Sequence, residues 1–211
     1  MLSIKLLEST QQIEKKITTA LAEEVNKTIR NNLTTILKKS KDLAVQFISS
    51  SPELSSLSEK TLGSLKAQFG IPDGQDILAT SDIIQAVQES VSVTFSPYNK
   101  QLKGGGLQVN FQPSDFVNLL GLQSGHVVYS GGDLHWLSWL LKEGGRTIVV
   151  GYSYDPETGL GRSGLGTMSA GGFFRVPPEF SGTTRDNFVT RALIGKKQEA
   201  DILNVFKSVL G

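Results

Sequence analysis

The eight residues "GLGRSGLG" place Gly159, Gly161 and Gly164 in a literal G-x-G-x-x-G, the spacing with which a dinucleotide-binding loop wraps a pyrophosphate. Two histidines, His126 and His135, are the other obvious candidates for chemistry. Neither belongs to an H-E-x-x-H arrangement, and they are too few and too isolated to argue for a histidine metal site. The serines include no G-x-S-x-G elbow, and a serine without a recognisable base and acid is not a nucleophile. Carboxylate pairs such as Glu23 and Glu24 fall on a helix face that its pattern makes solvated. There are no cysteines, which excludes disulfides, thiolate zinc sites and cysteine nucleophiles and leaves the redox compartment open. No catalytic residue, metal or cofactor is therefore expected, and the chain does not read as an enzyme.

Whether the glycine motif binds a phosphate depends on the elements around it. A true fingerprint follows a strand directly and opens a helix at its third glycine, where the phosphate sits. Here Asp155, Pro156 and Glu157 already end the preceding strand with a turn, and "LGTMSAGG" after Gly164 is no helix. The stretch reads instead as a long hairpin loop from Asp155 to about Gly172, between strands "TIVVGYSY" and "FFRV". Arg162 is its one long polar side chain. Such a loop is either mobile or a contact element.

The remaining elements follow from periodicity. An apolar series from Ile13 through Ile17, Leu21, Val25, Ile29, Leu33 and Ile36 to Phe47 and Ile48 meets no glycine or proline and predicts one long helix. Its four-residue steps advance the stripe by about 40° each, so the two ends should bury against different partners. Pro52 suits the first turn of a second helix, with Ser50 and Glu53 at capping-box spacing. Leu54, Leu57, Leu62, Leu65 and Phe69 form an apolar face there. A short helix follows Ser81. Val91, Val93 and Phe95 alternate, as do Leu107, Val109 and Phe111, around a loop that can close a hairpin. "GGDLHWLSWLLKEGG" predicts a helix over 133–143, capped by Asp133, with Leu137, Leu140 and Leu141 on its buried side. Trp136 and Trp139 read as core residues. "TTRDNFVTRALIG" predicts a helix capped by Thr183 or Thr184, and a last helix runs over 199–210.

The 211 residues, 38% hydrophobic and 19% charged with a net charge of +1, are globular and carry no global footprint of a nucleic-acid or membrane binder. "MLSIKLLEST" has an acidic residue where a signal peptide's apolar core should continue, and no apolar run approaches the ~20 residues of a membrane span. Neither export by a cleaved signal nor insertion is expected. The reading is one domain over 1–211: a long N-terminal helix (8–50), an α+β core (51–195) with about four antiparallel strands, short helices and the Gly-rich hairpin loop, and a C-terminal helix (196–211).

"TLGSLKAQF" resembles the "TG-x-L-(R/K)-x-S" stretch of the tail-completion, or neck, proteins of tailed bacteriophages, with Leu62 inserted between Thr61 and Gly63. "WLSWLLKEGG" is similar to that family's aromatic short helix ending in an acidic residue and glycine, through Trp136, Trp139, Glu143 and Gly144. "NFVTRAL" matches its closing pattern through Phe188, Ala192 and Leu193, with Arg191 in place of the usual proline. "RSGLGTM" through "FRVPPEFSGTTRDNFVTRAL" further resembles virion proteins of contractile-tailed phages of cyanobacteria and other marine bacteria. The order of these motifs over residues 55 to 194 carries the resemblance. It implies an α+β fold with a long helix on an antiparallel sheet, a homo-oligomeric ring (a hexamer) at the head–tail junction of a virion, and other neck and tail proteins as partners. No membrane and no specific nucleic acid is expected. A head-to-tail ring needs two different faces on each subunit; Ile17 and Leu21 on the first helix, Gly161, Arg162 and Gly164 in the loop, and Arg175, Arg185 and Arg191 beyond it are the candidate interface residues. The alternative is a small-molecule or carbohydrate-binding module of a tail or baseplate, with Trp136, Trp139 and Tyr152 lining a pocket.

Overall fold

The structure, a computed structural model, describes residues 8–113, 115–129 and 131–211. Most of the opening decapeptide, and Ser114 and Ser130, lie outside them. Helix α1 spans Thr10–Ser49. Ser9 caps it through a reciprocal box, its hydroxyl accepting from the Gln12 N–H while the Gln12 side chain accepts from the Ser9 N–H at 2.9 Å. Its buried residues, Ala22, Ile29, Ile36, Ser40, Ala44, Phe47 and Ile48, recur at seven and then three or four, which keeps one face on the core. Relative to Ala22, Ile17, Leu21 and Val25 lie about 140°, 100° and 60° around the helix at 100° per residue. The drifting stripe therefore joins the buried seam only at Ile29. Ahead of that point it faces outward, with Ile17 53% and Leu21 48% exposed.

The remaining elements are helices α2 (Pro52–Ser58), α3 (Leu65–Phe69) and α4 (Gln75–Ser90), strands β1 (Ser92–Ser96) and β2 (Gly106–Asn110), and helix α5 (Val117–Leu120). Strands β3 (Val127–Tyr129) and β4 (Gly132–Leu134) lead into α6 (Trp136–Leu141); β5 (Thr147–Asp155), β6 (Thr167–Arg175), α7 (Phe188–Leu193) and α8 (Lys196–Leu210) complete the chain. The class is α+β. Among the described residues the strands form three separate antiparallel hairpins, β1–β2, β3–β4 and β5–β6, instead of one sheet of about four. Helix α1 accordingly packs mainly on α4 and α8, and touches the strands through β1. Asn26 fastens that edge: its amide donates to the Tyr98 carbonyl and accepts from the Tyr98 N–H, both at 2.8 Å. The core joins Phe47 and Ile48 of α1 to Leu57, Leu65, Ile83, Leu140, Phe174, Val176 and Phe188, with Phe69 in contact with the Trp136 and Phe174 rings at 5.9 and 6.3 Å.

Several expected boundaries move for local reasons. Ser51, one residue after the expected Ser50, caps α2, and Glu53 pairs with Arg191 instead of closing a box. Leu62 leaves the apolar face because the chain turns between α2 and α3, and it is exposed. Helix α4 starts six residues before Ser81, where Gly74 at φ 88 redirects the chain. Asp133 lies in β4 and is no cap; α6 is three residues shorter at that end than expected, because β4 must pair with β3 before the helix can start. Asn187, not Thr183 or Thr184, caps α7, accepting from the Val189 and Thr190 N–H groups. Strand β6 begins at Thr167, so the hairpin loop is shorter than its glycines suggest. Gly171 and Gly172 sit within the strand at positive φ. Among the described residues no helix is long and apolar enough to cross a membrane.

Lys66, in the "TLGSLKAQF" stretch, is fully buried and binds Asp76 at 2.9 Å and Asp73 at 2.5 Å. Burial opposes its charge, but the hydrogen bonds it donates to the two carboxylates outweigh burial and hold its pKa above the ordinary lysine value. Burial likewise opposes the charge on Asp76, and the Lys66 ammonium with the Ile77 and Gly74 N–H groups nevertheless draws its pKa down. This pair fixes α3 against the start of α4.

Candidate assembly surface

Among the described residues, two apolar surfaces stand out. The first is the outward stripe of α1, where Ile17, Leu21 and Val25 follow one another at one-turn spacing. The second is the outer face of the β5–β6 hairpin. There Val150 and Phe173 are cross-strand partners and both are exposed, with Tyr152 beside them and the Arg175 guanidinium 5.6 Å from the Phe173 ring centroid. The same hairpin turns Phe174 inward, into the aromatic core. Strand alternation sends neighbours Phe173 and Phe174 to opposite faces, while register shifts between Thr147 and Val149 and across Gly151, at φ 86, interrupt the ladder.

The glycine loop connects these strands and is tied to the body of the protein. Asp155 starts it, accepting from the Glu157 N–H at 2.9 Å and the Thr158 hydroxyl at 2.7 Å; the Thr158 bond first, then the Glu157 one, pull its carboxyl below the usual range. The Gly161 N–H donates to the Gly166 carbonyl at 2.6 Å. A Cβ on Gly161 would stand 2.3 Å from that same oxygen, so glycine is required by the close approach. Gly164, at φ 74, faces open space. Arg162 reaches back across the molecule: its guanidinium lies 4.7 Å from the Tyr129 ring centroid and donates to the Phe69 carbonyl at 3.2 Å. Its head group is thus used within the chain, and the loop is held by it.

The three other candidate arginines differ. Arg175 and Arg185 are exposed. Arg191 binds the buried Glu53 at 2.7 Å and Asp186 at 3.0 Å, and those carboxylates, overcoming burial, raise its pKa. It joins α7 to α2. Comparison with protein-family models, with curated proteins and with solved structures finds no match for this chain.

One constellation escaped the sequence reading. His126 Nδ1 lies 2.7 Å from one oxygen of Asp133, His135 Nε2 lies 3.3 Å from the other, and the two imidazoles stack at 4.9 Å. The partners Val127–Leu134 and Val128–Asp133 put His126 opposite His135 when the register is extended by one residue. Asp133 and His135, two apart, project from the same strand face. A D-x-H on one arm of a hairpin and a histidine at the matching distance on the other is the signal, and it is legible only once the short strands are recognised. The two tryptophans do not share a surface: Trp136 is fully buried, while Trp139 packs half-buried at the edge of the core.

Proposed function

We propose that this protein is a structural subunit of a phage virion, of the neck or tail-completion kind, which joins copies of itself and neighbouring neck and tail proteins through the outward half of α1 and the β5–β6 hairpin. The observation that carries the reading is the length and patterning of α1. Forty residues at 1.5 Å each extend about 60 Å, whereas a compact 211-residue body is only about 43 Å across from the size scaling of folded chains. Part of the helix must overhang. The overhanging part is the part whose apolar stripe faces outward, which is the pattern of a helix completed by a neighbour.

The motif order described above supports the same reading, and two unlike apolar surfaces suit a head-to-tail ring, in which one face of each copy meets a different face of the next. Interfaces of this kind work by complementarity and area. Sedimentation velocity and electron microscopy of Ile17→Asp and Leu21→Asp variants test it. Each variant stays folded as a monomer and fails to assemble or to enter particles, because the carboxylate loses its water only at the joint. Wild-type assembly by both variants would remove α1 from the interface, and normal infectious particles would count against the neck assignment itself.

A further inference from the structure

We propose that His126, Asp133 and His135 form a binding site for a divalent transition metal of the zinc type. The donor set is two imidazole nitrogens and one carboxylate, and the three ligand atoms lie within 4.8 Å of one another. Ligand atoms about 2.0–2.1 Å from a tetrahedral Zn²⁺ stand about 3.3 Å from each other. The His126 and His135 nitrogens lie 2.7 and 3.3 Å from the two different oxygens of Asp133, so the carboxylate stands between the two rings, and small side-chain rotations bring one of its oxygens and both nitrogens to that spacing. The remaining gap between the two imidazole nitrogens closes by rotation of His135, whose side chain is 64% exposed.

The backbone that carries the ligands is fixed. Val127 and Trp136, next to His126 and His135, are buried, and Leu134 packs against the same core. Behind His126 a Cβ on Gly125 would be only 3.2 Å from the Leu137 Cβ, so the chain is pressed onto α6. His126 also shows the outer partner that metal-binding histidines use. Its Nε2 lies 3.3 Å from the Gln123 side-chain oxygen, an acceptor placed to hold the ring proton when Nδ1 binds a metal. Three protein ligands on a surface open to water leave a fourth position for a water molecule or for a ligand from a neighbouring molecule. The mixed nitrogen and oxygen set favours Zn²⁺, Co²⁺ or Ni²⁺ over Ca²⁺ and Mg²⁺, which take oxygen shells.

Calorimetric titration with Zn²⁺, and with Co²⁺ followed by its visible absorption, tests the site on the full chain. The expected result is one metal per chain, with a four-coordinate Co²⁺ spectrum. His135→Ala and His126→Ala should each weaken uptake by at least about tenfold, and Gln123→Leu should weaken it by less. Circular dichroism of metal-free His135→Ala should match that of the parent, since the side chain is exposed. No uptake by the parent, or equal uptake by the parent and both histidine variants, overturns the proposal and leaves a hydrogen-bonded His–Asp–His cluster.

Discussion

A lysine without solvent exposure keeps its charge only if carboxylates replace the water it has lost, and Lys66 has two of them. Lys66→Ala should cost about 3–5 kcal/mol in urea denaturation, because it strands Asp76 in the interior without a counter-charge. Lys66→Met with Asp76→Leu should cost much less, since no charge is left buried. The pH dependence has two edges. The Asp76 pKa is depressed on folding, so its contribution is complete above the unfolded carboxylate value and disappears as pH falls through the folded one. The Lys66 pKa is raised, so its contribution is complete below the unfolded lysine value and disappears as pH rises through the folded one. The urea midpoint of the parent should fall at both extremes, and that of the double variant should fall less. The loop glycines give a second contrast at this scale. Gly161 and Gly164 are both loop glycines of one motif, and their surroundings separate them. With an oxygen 2.3 Å from its Cβ position, Gly161→Ala should open the loop, seen as faster amide exchange over 158–166. Gly164→Ala should cost only about 1 kcal/mol, the strain of its positive φ.

Among the elements, the short helices α6 and α7 lean on each other through one side chain. The buried Asn187 amide donates to the Thr183 carbonyl at 2.9 Å while its oxygen caps α7, and the same amide reaches the Leu141 carbonyl at 3.4 Å. Asn187→Ala should therefore cost about 2 kcal/mol or more in thermal or urea unfolding, the upper range for a cap, because it also leaves a buried carbonyl short of a partner. Leu140→Ala, at a fully buried position, should cost about 2–5 kcal/mol, whereas Asp133→Ala should cost no cap energy. What could be read from the sequence divides along the same line. Elements with an uninterrupted period were legible: the long α1, the alternating β1–β2 hairpin and the inward side of the short α6. Strands β3 and β4 have three residues each, too few for alternation to register, so Asp133 passed for a cap and the histidine pair for strangers. Strand β6 was cut short because Gly171 and Gly172 look like a breaker. In the fold they are glycines within a paired strand, and Gly172 has Ser153 at 3.3 Å from its Cβ position. The outward exposure of Ile17 and Leu21 was legible, because an excess of apolar residues outruns the seam. The intrachain contacts of Arg162 and Arg191 were not, because their head groups find partners 93 and 138 residues away in sequence.

At the scale of the molecule, α1 should be two regions of different stability in the unassembled chain. Amides from Ile13 to Leu21 have little packed over them and should exchange quickly, while those from Ile36 to Ile48 should exchange only with global unfolding. Assembly through the outward stripe should slow the first group and leave the second unchanged, a pattern that mass-spectrometric exchange reads directly.

The contacts that hold α1 also set a timetable. Lys39 binds Ser208, 169 residues later, Asn26 waits for Tyr98, and Glu53 in the first turn of α2 waits for Arg191. At the usual ~5–20 residues per second of synthesis, about 160 residues take roughly 8–30 seconds to follow. During that interval a helix with an apolar seam on one side and an apolar stripe on the other has α4 as its one early main partner for the seam and nothing from its own chain over the stripe. Its slow partners are distant in sequence, which raises the entropic barrier to closing the core. Nascent chains of this protein are thus more exposed to premature pairing with one another than finished ones, and slower translation should deepen that exposure.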